Sequence, residues 1–274
     1  GLKLVDKSFA DENNIYISLE PGKAYVKGYE VTKSVASTVA LKRAAVLRQV
    51  ENEPKTFRTG TNRYAINNDY VNAINKIVSI VQVKQNITRG SIVGGIDYLP
   101  LTPVVEVVSV KQGGTTFTKG TDYQLLNDGI DWSIGSKAPN PGTTYEVVWT
   151  YNKTMNKDID YVLYQPTDSD VGYVEFLSSG DKPTDSSTFL VNYNFKLCRR
   201  DIISLDKDGN VIVTQGQSDI LRTVESPSVS SEETLVLGSV LLKPNTDEIN
   251  IINNNTQTIR MLDMYKMLER INAL

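Results

Sequence analysis

Residues 145–151 of this 274-residue chain read YEVVWTY, and this stretch predicts a β-strand. Aromatic and β-branched side chains are typical of half-buried strands. Side chains alternate between the two faces of a strand, so Tyr145, Val147, Trp149 and Tyr151 share one face. We expect this face to belong to a hydrophobic core. The alternative is an exposed aromatic platform for sugars.

A second stretch repeats the first further along the chain. At an offset of 44 the matched pairs are Trp132 with Phe176, Pro139 with Pro183, Tyr145 with Phe189, Val147 with Val191, Trp149 with Tyr193, and Tyr151 with Phe195. The pair Asp122-Tyr123 has its counterpart in Asp160-Tyr161, at an offset of 38. Two copies are too few for a solenoid. The repeat therefore predicts two related β units of the sandwich type.

Strand and turn signals extend this prediction to the rest of the chain. Alternation over Ile15–Leu19, the turn pair Pro21-Gly22 and alternation up to Tyr29 predict a hairpin. Residues 31–50 favour strand, whereas residues 71–83 fit either a helix or a strand. The predicted fold class is mainly β, with several antiparallel β-sandwich-like units and a C-terminal α-helix. The predicted segments are a β region 1–85, two β units 86–152 and 153–197, a β region 198–255 that packs back on 1–85, and a helix 256–274.

The C-terminal helix is predicted from an apolar stripe at steps of three and four residues. Its members are Met261, Met264, Tyr265, Leu268 and Ile271. Such a stripe either packs on this chain or begins a coiled coil in a longer protein. These five residues are the predicted contact with an oligomer partner.

Composition excludes several classes of function. The chain has no His, which removes Ser-His-Asp and Cys-His catalysis and every His-ligated metal site. Its single Cys198 can form neither an internal disulfide nor a CxxC metal knuckle, and we expect it to be buried. The net charge of −3 argues against a nucleic-acid-binding face. No apolar stretch is long enough for a membrane span, and Gly1 begins a chain that we expect to be a fragment.

Each motif that resembles a reactive site has a simpler structural interpretation. Residues 206–210 begin like a calcium loop, but the glycine and the final acidic residue are missing, so a hairpin turn is predicted. Residues 89–95 are glycine-rich but lack the Lys-Ser/Thr ending of a phosphate loop, and a flexible crossing is expected. The pair Arg199-Arg200 is expected to lie on a solvated edge. The carboxylates that we treat as turn residues are Asp122, Asp128, Asp131, Asp158 and Asp160.

The order of short motifs along the chain resembles one family of proteins. Residues 21–31 (PGKAYVKGYEV) are followed by Asn52-Glu53-Pro54, Thr88-Arg89-Gly90, and Gly120-Thr121-Asp122-Tyr123 with Ile130-Asp131-Trp132. The run ends with Arg200-Asp201-Ile202-Ile203, Leu205–Gly209 and the helix 261–274. This order resembles a domain of baseplate and tail proteins in contractile-tailed phages of Gram-positive hosts, such as those of Listeria and Bacillus.

The resemblance implies a non-enzymatic structural protein of the virion, made in the host cytoplasm. It implies contacts with other baseplate and tail proteins, a link to tail fibres, and a homo-oligomer around the tail axis. It offers no catalytic, cofactor-binding or metal-binding residue. The alternative function is a host cell-wall carbohydrate-binding module, which needs exposed rings near Trp132 and Phe176. A polysaccharide-degrading enzyme would need a cleft with paired carboxylates, and the sequence shows no sign of one.

Overall fold

The computed structural model describes residues 1–230 and 233–254, and strands dominate this part of the chain. The mainly β prediction with several antiparallel sheets is confirmed. No helix that could cross a membrane occurs among the described residues. The predicted helix 256–274 lies outside them.

The strands are numbered in chain order. The first eleven are β1 (Leu4–Ala10), β2 (Asn14–Leu19), β3 (Gly22–Val26), β4 (Tyr29–Lys33), β5 (Ser37–Lys42), β6 (Leu47–Thr56), β7 (Arg63–Asp69), β8 (Val71–Thr88), β9 (Ile96–Tyr98), β10 (Val104–Gln112) and β11 (Thr115–Phe117). The others are β12 (Gln124–Leu126), β13 (Gly129–Asp131), β14 (Thr144–Thr154), β15 (Tyr161–Tyr164), β16 (Val171–Phe176), β17 (Thr188–Lys196), β18 (Cys198–Leu205), β19 (Val211–Thr214), β20 (Ser218–Asp219), β21 (Leu235–Leu242) and β22 (Ile249–Asn253).

The chain folds into two compact units. Unit 1 comprises residues 1–48 and the described residues from 196 onward, and unit 2 comprises residues 49–195. The open question over residues 71–83 is settled as strand, because they all belong to β8. The predicted boundaries near residues 86, 153 and 198 stay predictions. They follow from the sequence repeat, whereas the two units are defined by compactness, so the units do not test them.

Unit 1 has one hydrophobic core between its sheets. A three-stranded sheet has the order β1-β2-β5, and a larger sheet has the order β19-β18-β21-β22, with β20 also paired to β18. The residues most deeply buried between them are Leu4, Ile15, Ile17, Leu19, Leu41, Ile203, Leu205, Val240 and Leu242. The predicted hairpin over residues 206–210 is confirmed, since Leu205 pairs with Val211.

The predicted hairpin at Pro21-Gly22 is wrong. Strand β2 pairs with β1 on one edge and with β5 on the other, so no edge is left for β3. Strand β3 pairs instead with β4 across Lys27-Gly28, and both of these residues have positive φ. Two successive residues at positive φ form the turn that matches the twist of a hairpin. In the sequence, Lys27-Gly28 is therefore a better indicator of the hairpin turn than Pro21-Gly22.

Unit 2 is built around the long strand β8. The main sheet has the order β11-β10-β14-β8-β17-β6, and two three-stranded sheets have the orders β12-β13-β9 and β15-β16-β7. Residues 71–78 of β8 pair with β17, whereas residues 78–88 pair with β14. One strand thus serves both halves of the sequence repeat.

The two halves of the repeat have the same local structure. In each, a backbone amide donates to a turn carboxylate: Thr118 to Asp122 at 2.8 Å, and Asn156 to Asp160 at 2.7 Å. Tyr123 and Tyr161 follow these turns and are both 2% exposed. The hairpins that come next have equivalent registers, with Gln124 opposite Asp131 and Val162 opposite Glu175.

The repeat extends to a segment that sequence comparison missed. Val107 and Val110 of β10 face Trp149 and Val147 of β14. At equivalent positions of β17, Tyr193 and Val191 face Ile74 and Ile77 of β8, so residues 71–77 correspond to 104–110. The register shifts correspond as well. The pairing of β10 with β14 is shifted at two places, and the pairing of β8 with β17 is shifted at the two equivalent places. Such bulges bend and twist a strand locally.

One copy is inserted into the other. In what we call the inner copy, β10 and β11 form a hairpin in which Val110 pairs with Phe117. In the outer copy the equivalent contact joins the Ile77 carbonyl and the Met155 amide, at 2.9 Å. The chain between these two residues contains the inner copy. The outer copy therefore consists of β6, β7, the start of β8, β15, β16 and β17.

Candidate functional site

The five residues predicted as a partner contact lie outside the described residues. They are Met261, Met264, Tyr265, Leu268 and Ile271. The candidate sites among the described residues are buried polar clusters and an exposed groove.

A deeply buried polar cluster is centred on Asp97 in the inner copy. Arg89 Nη1 lies 3.1 Å from Asp97 Oδ1, and both side chains are at most 3% exposed. Trp132 Nε1 and the Tyr145 hydroxyl both donate to Asp97 Oδ2, at 2.9 and 2.8 Å. The pKa of Tyr145 is raised mainly by burial and secondly by the hydrogen bond to Asp97, so its hydroxyl remains a donor. The expected flexible crossing at 89–95 therefore begins at an anchored residue.

The outer copy has aromatic side chains at the equivalent positions. Phe57, Tyr64, Phe176 and Phe189 pack edge to face, with ring centroids 5.1–5.9 Å apart. In the outer copy Tyr64 occupies the place of Asp97, because Tyr64 pairs with Val174 as Asp97 pairs with Ile130. Edge-to-face rings of this kind stabilise a core beyond the area that they bury.

The sugar-platform alternative is wrong for these rings. Trp132, Tyr145, Trp149, Phe176 and Phe189 are all at most 2% exposed. The face predicted to be core is core, and a glycan cannot stack on any of these rings.

The turn carboxylates act on the backbone around them. Asp131 accepts from Gln124 Nε2 at 2.7 Å and from the Ser133 amide at 2.9 Å. These bonds lower the pKa of Asp131, the Gln124 bond most of all. Asp128 accepts from the Val104 amide at 2.7 Å. No group of three or more His, Cys, Asp or Glu residues with metal-binding geometry is found among the described residues.

The prediction of a solvated edge at Arg199 is wrong. Its Nε and Nη2 lie 2.7 and 2.9 Å from the two carboxylate oxygens of Asp201, which is fully buried in unit 1. Nη2 also donates to the Lys42 carbonyl at 2.5 Å. The available signal was the spacing of two residues on a strand, which puts both side chains on one face.

An open groove in unit 1 concentrates positive charge. It has a volume of about 720 Å³, and the charged residues along it are Glu12, Lys42, Arg43, Lys196 and Lys243. Arg43 is already held by Asp247, at 2.5 Å, and Lys196 donates to Asn245 at 2.7 Å. The excess of cations suits an acidic partner, since opposite charge guides encounter and register.

Comparison with known proteins gives a family but no activity. A model described as "Domain of unknown function (DUF4815)" matches residues 1–274. The chain belongs to this family. No curated protein and no solved structure matches it.

Sequence reasoning missed the Asp97 cluster and also a polar cluster in the outer copy of this DUF4815 domain. In the outer copy, Lys55 Nζ lies 2.8 Å from Glu53 Oε1 and 2.8 Å from Asn67 Oδ1. Glu53 Oε2 accepts from the Tyr193 hydroxyl at 2.6 Å. The sequence indicated only that Glu53 and Lys55, two residues apart on one strand, could share a face. It did not indicate that Asn67 lies beside them.

Proposed function

We propose that this DUF4815 domain is a non-enzymatic structural component of a phage tail baseplate, linking neighbouring baseplate proteins and tail fibres. The observation that carries the proposal is the order of motifs described above, which runs from Pro21 to the C-terminus. The wider proposal includes a virion location after synthesis in the host cytoplasm, sandwich-like packing of the sheets, and a C-terminal helix that joins copies around the tail axis.

The use of buried charge supports a structural role. Asp97, Asp131, Asp160 and Asp201 each accept several hydrogen bonds from nearby backbone or side-chain donors. Satisfied polar networks of this kind rigidify a fold. A baseplate component needs this rigidity, because it transmits force between its neighbours.

The groove at Lys42 and Lys243 is the surface that we propose for a neighbouring protein, through an acidic segment. Unit 1 contains these cations within a chain whose net charge is −3, so they are a local concentration. Contacts between unlike charges favour one orientation of a partner over others. The carbohydrate-binding alternative needed exposed rings near Trp132 and Phe176, and both of these rings are buried.

Two measurements on native material test the proposal. Quantitative mass spectrometry of purified particles should find the chain in a fixed ratio to other tail proteins. Binding of the labelled chain to host cells and isolated cell walls should be negligible at concentrations where a known receptor-binding protein saturates. Absence from the particles would overturn the proposal, and saturable binding lost on removal of wall polysaccharide would favour the adhesin.

A further inference from the structure

The cluster around Lys55 has the components of an amide-forming site. The Lys55 amine lies between a carboxylate and a carboxamide, at 2.8 Å from an oxygen of each. The side chains of Lys55 and Glu53 are only 16% and 5% exposed. Only an uncharged amine attacks a carbonyl, and Glu53 lies close enough to Lys55 to take its proton.

The distances place the nucleophile close to its target. Because a C=O bond is about 1.2 Å long, Lys55 Nζ lies at most about 4.0 Å from Asn67 Cγ. Reacting atoms in near-attack conformers are about 3–3.5 Å apart. A small rotation of either side chain therefore brings the two atoms into reacting position.

The carboxylate is held in position from both sides. Glu53 Oε1 accepts from the Asn67 backbone amide at 3.1 Å, and Oε2 accepts from the Tyr193 hydroxyl at 2.6 Å. The pKa of Tyr193 is raised mainly by burial and secondly by the hydrogen bond to Glu53, so this hydroxyl stays a donor. The side-chain amide of Asn68 donates to the Tyr193 oxygen at 2.6 Å. Glu53 is thus fixed beside Lys55 Nζ as a base.

We propose that Lys55 and Asn67 form an intramolecular isopeptide bond, with Glu53 as the proton carrier. Glu53 takes a proton from the Lys55 ammonium group, and the free amine attacks Asn67 Cγ. The new bond joins Nζ to Cγ, and the bond between Cγ and Nδ2 breaks. Glu53 returns its proton to the leaving nitrogen, which also receives the second proton that Nζ loses and so departs as ammonium. The net change converts a lysine ammonium and a primary amide into a secondary amide and one ammonium ion, without an oxidant or cofactor.

The bond would join two sheets of unit 2. Lys55 lies on β6, an outermost strand of the six-stranded sheet, and Asn67 lies on β7 in a three-stranded sheet. Strand β6 contains Asn52 at positive φ and Pro54, and both features limit pairing along an edge. A covalent link would hold this edge strand to β7. Asn67 is exposed, so the ammonia can leave to solvent.

Another buried lysine of unit 2 shows what the proposal requires. Lys153 lies 2.7 Å from Asp160 and 2.5 Å from Asp181, but both of its partners are carboxylates. The pKa of Lys153 is raised, because the bonds to Asp160 and Asp181 outweigh the opposing effect of burial. Lys153 is therefore a stable ion-pair cation rather than a nucleophile. The Lys55 cluster, in contrast, contains the carboxamide of Asn67.

The test is the intact mass of the purified full-length chain under denaturing conditions. We expect a mass lower than that of the sequence by one ammonia, and a digest in which the peptides of Lys55 and Asn67 are covalently joined. A full mass with two separate peptides would overturn the proposal. This readout needs no variant and does not depend on the proposed function.

Variants separate the crosslink from a succinimide at Asn67, which loses the same mass. Lys55→Arg should restore the full mass, while Glu53→Gln should slow bond formation by about 10²-fold or more. Lys84→Arg is the matched control, because Lys84 is an exposed lysine of the same sheet, paired with Glu146, and this variant should keep the mass deficit. A deficit that persists in a folded Lys55→Arg chain would contradict the proposal.

Discussion

The inner and outer copies of unit 2 stabilise the same strand arrangement with different chemistry. The inner copy places Asp97 beneath Trp132 and Tyr145, where it pairs with Arg89. The outer copy fills the equivalent space with packed aromatic rings. The fold therefore depends on the strand registers and the turns, which the copies share. The content of the core can vary, provided that a buried charge such as Asp97 has its partners.

The largest expected effect comes from removing the central charge of the inner copy. Asp97→Ala should lower the free energy of unfolding by about 3–5 kcal/mol, because it leaves Arg89 buried without its counter-charge. Chemical denaturation followed by Trp fluorescence measures this change. In the outer copy, Tyr64→Phe removes only hydroxyl bonds to the backbone of Arg58 and Thr61, and should cost about 1 kcal/mol. Equal losses of unfolding free energy for the two variants would contradict the view that only the inner copy depends on a buried charge at this position.

The next effect tests the shared turns. A methyl group at Gly135 would overlap the backbone of Asp122, and one at Gly180 would overlap Ile159 and Asp160. Each Gly→Ala variant should therefore cost about 1–3 kcal/mol, and the two costs should be similar. Gly114→Ala is the control, since its methyl group would meet open space. A cost at only one of the two turns would show that the copies differ there.

A pH dependence should come from the outer turn. Burial pushes the pKa of Asp160 up, but Lys153 and the amides of Asn156 and Asp181 outweigh it, so that the pKa is lowered. The folded state then binds this proton less tightly than the unfolded state. The resulting stability is present above the ordinary aspartate pKa and is lost as the pH falls through the lower, folded value. Denaturation series between about pH 5 and pH 2 should show a shallower decline for Asp160→Asn than for the wild type.

The smallest effect concerns one backbone position. Gly120 and Asp158 occupy equivalent places in the two turns, with φ of 82° and 65°. Glycine adopts this conformation without strain, whereas a side chain carries a cost. Asp158→Gly should therefore raise the free energy of unfolding by less than about 1 kcal/mol, and Gly120→Ala should lower it by about 1 kcal/mol. The same sign for both variants would refute the equivalence.

The sequence predicted the repeat where side-chain type is constrained. Aromatic and β-branched residues recur at one spacing because the central strands β14 and β17 need bulky side chains on a buried face. Residues 71–77 and 104–110 escaped notice because any apolar residue satisfies their positions, and because the insertion changes the offset. The Lys55 cluster escaped for a different reason, since Asn67 reaches it only through the tertiary fold. The Arg199 and Asp201 pair was visible as a spacing, but burial is a property of the whole of unit 1.

The proposed baseplate role is tested most directly by electron cryomicroscopy of purified phage particles, if a phage genome encodes this chain. We expect density for both units at the tail tip, repeated around the tail axis, with neighbouring proteins in contact with the groove at Lys42 and Lys243. Particles whose tail tip is fully accounted for by other proteins would contradict the claim that this DUF4815 domain is a baseplate component.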